Sequence, residues 1–322
     1  MQSKIRYVYK SIQTNVNKVS KKYGGIRIVI FADIIFSMIR YSASPSNYYY
    51  FGFAKLDHNQ RKTYVTHQIS EQIQRKYNSD KYQIVFYDKM IFSRVFSDFY
   101  GRKCMATETM SRNDFITFTN DLSKFIYKPL EGGQGKGIQV FEKKVSNFTK
   151  AYDELKGSHG IIEEWIQQHP KMQELYPDAV NIIRVQTILA DNECHFLGAT
   201  LTIGNKSKIA NASANSIFAL VDVKSGRVNT NGCDYNDNIY ICHPETGIHF
   251  QGFLIPMWEQ VIEMLRKAAI RVPEIGYVGW DIAITETGPI LIEGNNDGGY
   301  IAYQLFELSN GHGMKDLYQK FL

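Results

Sequence analysis

Residues 277–295 carry the pattern that most constrains the fold of this chain. Two runs of alternating side chains flank the segment Glu-Thr-Gly at 286–288, which is typical of a short hairpin loop containing glycine. Successive side chains of a strand point to opposite faces, so Asp281, Glu293 and Asn295 would share one face of the hairpin. The pattern therefore predicts two antiparallel strands that present acidic and amide oxygens together.

The length of the loop sets the register of this hairpin. A three-residue loop places Thr285 opposite Pro289 and Asp281 opposite Glu293. Directly opposed Cβ atoms lie about 4.5–5.5 Å apart, and two carboxylates so close repel each other unless a cation lies between them. Together with the amide oxygen of Asn295, these ligands suit Mg²⁺ carried with nucleotide phosphates. The cluster is wide enough to bridge two ions about 3.5–4 Å apart.

An exposed hairpin with two solvated acids is the alternative. A shifted register would separate Asp281 from Glu293, although Glu293 and Asn295 would still share a face. The flanking apolar residues favour a buried strand pair; they are Val278, Trp280, Ile282, Ile290 and Ile292.

A second pattern lies at 128–137, where four glycines occur within six residues. Glycine lets backbone N–H groups approach phosphate oxygens closely. The spacing does not match a Walker A loop, because Leu130 occupies the position of its first glycine and Gly137 follows Lys136. The segment instead predicts a mobile phosphate lid between two strands, with Lys128 on the first of them. A purely structural hairpin loop is the alternative.

Two lysines are candidates for phosphate binding. Lys128 belongs to an otherwise apolar strand, and an unpaired buried ammonium group is costly, which favours a functional role. Lys89 is the second candidate, with an ordinary lysine on a surface helix as the alternative.

The chain divides into three parts by the secondary structure that its residue pattern predicts. We expect a mainly helical N-terminal region at 1–81, a first α+β unit with the glycine-rich lid at 82–166, and a second with the acidic hairpin at 167–322. A strand or buried segment is predicted at 83–87. Further strands are predicted at 125–128, 137–142, 160–166, 181–189, 195–203, 278–285 and 289–294, and helices at 60–76, 89–99, 148–156 and 256–271. Strands joined by tight hairpins, with helices set apart, indicate an α+β fold rather than a doubly wound parallel sheet.

Composition narrows the functional classes. The net charge is +5, and the absence of a dense Lys/Arg stripe argues against a nucleic-acid partner. The four cysteines are scattered without a C-x-x-C pair, which argues against a zinc site or a disulfide framework and favours a reducing compartment. The apolar stretch 26–39 contains Arg27 and Asp33 and is shorter than the ~20 residues that span a bilayer. We therefore expect no transmembrane segment and a cytoplasmic location.

Together, these segments resemble the ATP-grasp superfamily, and most closely the sugar-transfer associated ATP-grasp family. The resemblance covers about residue 25 to the end of the chain and is weaker before residue 80; the order and spacing of its motifs carry it. The matching stretches are Tyr-Lys-Pro at 127–129, Gly-Gly-Gln-Gly-Lys-Gly-Ile at 132–138, Glu-Glu-Trp-Ile-Gln-Gln-His-Pro at 163–170, Val-Asn-Ile-Ile-Arg-Val-Gln-Thr at 180–187, His-Pro-Glu-Thr-Gly at 243–247, Tyr-Val-Gly-Trp-Asp at 277–281 and Ile-Glu-Gly-Asn at 292–295.

The resemblance implies two α+β subdomains that grip ATP between them. Lys128 would bind the inner phosphates, and Lys89 would do so from the preceding subdomain. Arg184 would reach the γ-phosphate, so Lys128 and Arg184 are the implied catalytic residues, with a structural salt bridge as the alternative for Arg184. The lid glycines that would close over the β- and γ-phosphates are Gly133, Gly135 and Gly137.

The resemblance also implies the remaining ligands. The backbone of a hinge strand at 163–166 would contact the adenine edge, while a nearby acid holds the ribose; the residues are Glu163, Glu164, Trp165 and Ile166. A solvated strand edge is the alternative for the two glutamates. Two Mg²⁺ ions, for which Mn²⁺ can substitute, would be held by Asp281, Glu293 and Asn295.

The implied activity is that of an ADP-forming ligase, dependent on ATP and Mg²⁺, which joins a carboxylate to an amine through an acyl phosphate. The resemblance suggests small-molecule substrates, such as an amino acid and a sugar acid, and association with enzymes of surface polysaccharide biosynthesis. Two alternatives are a phosphotransferase (kinase) acting on a hydroxyl group and a non-catalytic nucleotide-binding partner of a glycosyltransferase.

Overall fold

A computed structural model describes residues 2–130, 137–143, 148–206 and 216–322. Within these residues the chain forms helices and two antiparallel sheets. The α-helices are α1 (Gln2–Tyr23), α2 (Arg27–Tyr41), α3 (Pro45–Tyr50), α4 (His58–Arg61), α5 (His67–Tyr77), α6 (Ile84–Tyr87), α7 (Lys89–Val95), α8 (Ser97–Tyr100), α9 (Arg112–Thr119), α10 (Phe148–Leu155), α11 (Pro170–Leu175), α12 (Trp258–Ala269), α13 (Phe306–Ser309) and α14 (Lys315–Tyr318). Short 3₁₀ turns cover Phe53–Lys55, Asp80–Tyr82, Ala302–Gln304 and Gln319–Phe321.

The strands alternate with these helices after residue 103. They are β1 (Cys104–Ala106), β2 (Lys124–Pro129), β3 (Gln139–Glu142), β4 (Gly160–Glu164), β5 (Ile182–Ala190), β6 (Glu193–Ile203), β7 (Ile217–Val221), β8 (Gly232–Cys233), β9 (Ile239–Tyr240), β10 (Tyr277–Thr285) and β11 (Gly288–Asn295). The predicted strands from residue 125 onward are confirmed within a few residues at each end, whereas β1 and β7 to β9 were missed.

The N-terminal region is mainly helical, as predicted, but the single helix predicted at 60–76 is wrong, because α4 and α5 are separated by a break at 62–66. α1 buries Ile12, Val16 and Val19, whose spacing of four and three residues places them on one face of the helix. α2 packs against α1 and buries Ile30 and Ile34. These side chains share a core with aromatic residues of the following segment, among them Tyr48, Phe51, Phe53 and Tyr64.

The strand predicted at 83–87 is wrong, because this segment is helical. The Asp88 carboxylate accepts hydrogen bonds from two backbone N–H groups in the first turn of α7, at 2.8 and 3.0 Å, and so caps that helix. In α6, the ring of Phe86 packs against Trp280 of β10, with the ring centroids 5.8 Å apart. The four apolar residues after Gln83 fit either a strand or a helical turn, and tertiary packing decides between them.

The smaller sheet has four strands in the order β1-β4-β2-β3, with every pairing antiparallel. One of its faces packs on α9 and α10 through Phe115, Phe125, Phe141 and Leu155. Lys128 lies near the end of β2, one of the two central strands, opposite Ile161 of β4. The sheet thus carries the predicted phosphate lysine.

The larger sheet has seven strands in the order β11-β10-β5-β6-β7-β8-β9, again with antiparallel pairings. One face of this sheet packs against α12 through a buried core that includes Val185, Leu201 and Ile282, with Val261 and Leu265 on the helix. The opposite face carries most of the polar residues described below.

The hairpin β10–β11 has the predicted register at the acids and a different one near its turn. Thr285 pairs with Gly288 across a two-residue turn, so the predicted three-residue loop is wrong. A β-bulge at Ile292 inserts one extra residue into β11 and compensates for the shorter turn. Asp281 therefore lies opposite Glu293, as the sequence pattern predicts.

Among the described helices, none is long and apolar enough to cross a membrane. The division of the chain at residues 81 and 166 stays a prediction.

Candidate active site

Polar side chains form a row across one face of the seven-stranded sheet. The β10–β11 register places Glu293 opposite Asp281. The next two registers place Arg184 opposite Asp281, and Thr200 opposite Arg184. Opposed residues project from the same face of a sheet, and Asn295 lies two residues beyond Glu293 on that face. The sheet alone thus brings the three predicted metal ligands together with Arg184.

Arg184 and Asp281 form a bidentate ion pair. The Nε and Nη2 atoms of Arg184 donate to Oδ1 and Oδ2 of Asp281 at 2.6 and 2.5 Å. Burial alone would lower the pKa of the guanidinium, but the Asp281 carboxylate outweighs burial and raises it, so Arg184 stays charged. The salt bridge considered as the alternative role of Arg184 is therefore present. The pair uses Nε and Nη2 of Arg184, and this residue lines the cavity described below.

Glu293 has no comparable partner. Among the described residues, no Lys, Arg or His forms an ion pair with its carboxylate. Burial raises the pKa of the Glu293 carboxyl, and the nearby charge of Asp281 raises it further. The row therefore holds two facing carboxylates but only one cationic side chain.

This arrangement fits a divalent cation. A cation would relieve the repulsion between Asp281 and Glu293, and the Asn295 amide lies beside them, with its Nδ2 atom 3.5 Å from Glu293 Oε1. Within the described ranges, no group of three or more His, Cys, Asp or Glu side chains is placed to hold a metal. The protein would thus supply two carboxylates and one amide. Such a sparse set suits Mg²⁺, which usually keeps several waters and binds substrate phosphates.

Lys128 belongs to a buried charge network in the smaller sheet. Its Nζ atom donates to Oε2 of Glu163 at 2.9 Å. Arg102 Nε donates to the same oxygen at 2.7 Å, and the hydroxyl of Tyr100 donates to Oε1 at 2.8 Å. Burial alone would raise the pKa of the Glu163 carboxyl, but Arg102 and Lys128 outweigh burial and hold it at about 2. Glu163 is therefore ionised and fixes the position of Lys128.

Arg102 connects the two sheets. While Nε binds Glu163 of β4, Nη1 donates to the backbone oxygen of Leu291 at 2.8 Å and Nη2 to that of Ile292 at 3.2 Å. These carbonyls lie at the bulge of β11. Sequence reasoning missed both Arg102 and Tyr100, because neither belongs to a recognisable motif.

Lys89 lies at the N-terminus of α7 and lines the same cavity as Lys128. Its Nζ atom donates to the backbone oxygens of Pro129 and Leu130, at 3.0 and 3.4 Å. Burial lowers the pKa of the Lys89 ammonium group. The structure thus brings both predicted phosphate lysines to the end of β2, where the glycine-rich segment begins.

The lid itself is only partly described. Gly133 and Gly135 lie outside the described residues. Gly137 has a φ of +76°, and a Cβ atom there would lie 2.8 Å from Cγ of Pro129, so the chain requires glycine as it enters β3.

The residues of the predicted hinge strand begin at Glu163, which belongs to the charge network of Lys128. Glu164, Trp165 and Ile166 line the cavity beside Glu163. Lys124 Nζ lies 3.7 Å from the centroid of the Trp165 ring, within the range of a cation–π contact.

One cavity is lined by most of the predicted site residues: Lys89, Lys128, Glu163, Glu164, Trp165, Ile166, Arg184, Asp281, Glu293 and Asn295. Its volume is about 800 Å³, and both sheets contribute to its walls. Beyond the residues discussed above, sequence reasoning missed a further part of the wall, formed by α5 and the segment after β11; it includes Ser70, Glu71, Gln74, Asp297 and Tyr300. Pockets of roughly 300–1,000 Å³ with convergent polar groups are typical small-molecule sites. The cavity is therefore the candidate active site.

The network around Glu163 predicts a specific dependence of stability on pH. The pKa of this carboxyl falls from 4.5 to about 2 in the folded chain, so its ionisation stabilises the fold above pH 4.5, and this contribution is lost as the pH falls towards 2. The wild type should be more stable than Glu163→Gln above pH 4.5, and the difference should shrink between pH 4.5 and 2. Urea unfolding of both proteins across this pH range measures the difference in their free energies of unfolding. A difference that does not change with pH would show that Glu163 does not titrate in this way.

A sequence profile described as sugar-transfer associated ATP-grasp matches residues 68–321 of the chain, well over half of its length. No curated protein matches the chain significantly.

Several solved structures are similar to the chain. The ATP-grasp ligase PsnB, complexed with a phosphomimetic variant of minimal precursor, Mg and ADP, is 14% identical and has a TM-score of 0.47; the similarity covers 76% of this chain and 61% of that one. D-alanine–D-alanine ligase from Bacillus anthracis is 12% identical over 74% of this chain and 67% of its own, with a TM-score of 0.42. The ADP complex of purK, N5-carboxyaminoimidazole ribonucleotide synthetase, is 11% identical and has a TM-score of 0.43. The similarity covers 69% of this chain and 52% of that one.

The chain thus spans about three fifths of the length of the PsnB structure. The profile match confirms the resemblance noted in the sequence and, with it, the α+β ATP-grasp fold class. The chain belongs to the sugar-transfer associated ATP-grasp family.

Proposed function

We propose that this protein is an ADP-forming ligase, dependent on ATP and Mg²⁺, that activates a carboxylate as an acyl phosphate and joins it to an amine. One observation carries the proposal: the facing carboxylates of Asp281 and Glu293 share a cavity with the cations Arg184, Lys128 and Lys89. A triphosphate with a divalent cation is the ligand whose charges match this set.

Each part of the site has a role in this proposal. Lys128 and Lys89 would bind the inner phosphates, while Arg184 would contact the γ-phosphate from the sheet face. Residues 163–166 would contact the adenine. Asp281, Glu293 and Asn295 would hold Mg²⁺, which neutralises phosphate charge when bound; two ions and substitution by Mn²⁺ belong to the same proposal.

The reaction needs no nucleophilic side chain. A carboxylate oxygen of the substrate attacks the γ-phosphorus, the bond to the β-phosphate oxygen breaks, and ADP leaves. An amine then attacks the acyl carbon, loses a proton and displaces inorganic phosphate. Lys128 and Arg184 would stabilise the negative charge on the transferred phosphoryl group, and closure of the glycine-rich segment would keep water away from the acyl phosphate.

The support for the proposed substrates is the description of the family, sugar-transfer associated ATP-grasp. We propose a small carboxylate and a small amine, such as an amino acid and a sugar acid, in surface polysaccharide biosynthesis, together with association with enzymes of that pathway and a cytoplasmic location. We also keep the division into 1–81, 82–166 and 167–322 as a proposal, with ATP held between the second and third units.

Product analysis tests the proposed reaction. The protein is incubated with ATP and Mg²⁺ and with pools of carboxylates and amines, and ADP release is followed. The proposal expects ADP and inorganic phosphate in equal amounts, together with an amide, and only when both substrate types are present. Phosphate retained on a hydroxyl of the product would instead identify a kinase. No ADP release with any pool would favour a non-catalytic nucleotide-binding role.

A further inference from the structure

Helix α2 presents an apolar face that the fold does not cover. Ile28 and Ile39 are 74% and 79% exposed, and Phe36 is 50% exposed. On the other side of the same helix, Ile30 and Ile34 are buried against the N-terminal core. The helix is therefore apolar on both sides, but only one side has a partner within the described part of the chain.

Basic residues border this face. At about 100° per residue, Ile28, Phe36 and Ile39 fall within an arc of about 80° on the helix. Arg40 lies about 40° beyond one edge of that arc and Arg27 about 100° beyond the other. Both are exposed. Among the described residues, neither forms an ion pair with a carboxylate. An apolar face with basic residues at its edges is the pattern of a helix that lies in a membrane interface.

The charge of the chain is concentrated in the same region. Residues 1–41 contain eight Lys or Arg residues and a single acid, Asp33. Asp33 is paired with Arg61, whose Nη1 atom lies 2.7 Å from its Oδ1 atom. Among the basic residues, Lys22 is paired with Asp237 and Glu307, at 2.7 and 3.0 Å. Residues 1–41 thus carry a formal charge of +7, and since the whole chain carries +5, the remaining 281 residues carry −2.

We propose that the exposed face of α2 binds the surface of an anionic lipid bilayer, with the helix axis parallel to the membrane plane. Fifteen residues make a helix about 22 Å long, shorter than the roughly 30 Å hydrocarbon core. Its other side is held in the protein core. Ile28, Phe36 and Ile39 insert among the acyl chains near the headgroups, while Arg27 and Arg40 contact lipid phosphates.

The charges favour lipid over a second copy of the chain. A symmetric contact through α2 would bring two segments of charge +7 together, at the cost of like-charge repulsion. An anionic bilayer instead offers opposite charge and an apolar layer directly beneath it. The proposal does not depend on the reaction proposed above, because α2 contributes no residue to the cavity wall.

Vesicle sedimentation with the full chain tests the proposal. Vesicles of phosphatidylcholine, with and without phosphatidylglycerol, are mixed with the wild type and with exposed-residue variants. We expect binding to the anionic vesicles only, weakened by added salt. Ile39→Ser and Phe36→Ser should each reduce the partition constant about tenfold or more, and Arg27→Gln and Arg40→Gln about fivefold each.

Ile270→Ser is the matched control, because Ile270 is 58% exposed but lies after α12, far along the chain from this face. Its binding should equal that of the wild type. Circular dichroism and thermal unfolding show that each variant is folded. Failure of the wild type to bind anionic vesicles, or equal binding by Ile39→Ser, would overturn the proposal. A dimer in sedimentation velocity that Ile39→Ser dissociates would assign the face to a second copy instead.

Discussion

Replacing Glu293 by alanine is expected to lower ATP turnover with Mg²⁺ by a factor of about 10²–10³, because one of the two facing carboxylates that would hold the cation is lost. The fold should tolerate the change. Glu293 has no ion-pair partner among the described residues, and burial together with Asp281 opposes its ionisation. Removing it relieves repulsion rather than leaving a buried cation unpaired.

Two measurements separate loss of the metal site from loss of structure. Calorimetric titration of nucleotide, with and without Mg²⁺, should show that the variant loses the effect of the metal on binding, while urea unfolding shows a normal transition. Glu286→Ala is the matched control, since Glu286 is the same residue type at the exposed turn of the same hairpin. Normal turnover of Glu293→Ala with Mg²⁺ would refute the assignment of this residue to the metal.

Replacing Glu163 by alanine is expected to destabilise the chain by about 3–5 kcal/mol, the usual cost of breaking a buried ion pair by removing one partner. Arg102, with a side chain only 2% exposed, would lose its carboxylate, and Lys128 would lose the same partner. Tyr100 would also lose its hydrogen-bond acceptor. Since Lys128 would no longer be held, ATP affinity should fall as well.

Urea unfolding of Glu163→Ala tests this expectation, with Glu164→Ala, at the neighbouring residue, as the control. Glu164 is partly exposed, and its described contact is with the backbone N–H of Lys103, at 3.3 Å. Its replacement should cost less than about 1 kcal/mol. If both variants lost the same small amount of stability, the network around Glu163 would not be the stabilising feature described here.

Much of the fold could be predicted because strand alternation is a local property. In the acidic hairpin, strand alternation predicts one part of the register correctly and another part incorrectly. The predicted pairing of Asp281 with Glu293 is confirmed, although the turn of the hairpin has two residues and the predicted loop had three. The extra residue at Ile292 restores the register, and nothing in an alternating apolar run marks a bulge.

The wrong prediction at 83–87 and the missed Arg102 have the same physical cause, because both depend on contacts between residues distant in the sequence. The segment 83–87 could form a strand or a helical turn on its own, and its contact with Trp280, nearly two hundred residues later in the chain, accompanies the helical form. Arg102 could not be recognised either, because its partners Glu163 and Leu291 come from distant strands. Lys128, Arg184 and the hairpin acids line one cavity, and each belongs to a local motif of the sequence.

The bonds of Arg102 limit how the cavity can widen. This guanidinium joins the carboxylate of Glu163 in one sheet to two carbonyls at the bulge of the other. Any rotation of the four-stranded sheet away from the seven-stranded sheet must either turn about Arg102 as a pivot or break its two hydrogen bonds to the carbonyls of β11. Entry of a nucleotide by rotation about this point would keep Lys128 close to the pivot, while the distal ends of the smaller sheet swing through the largest arc.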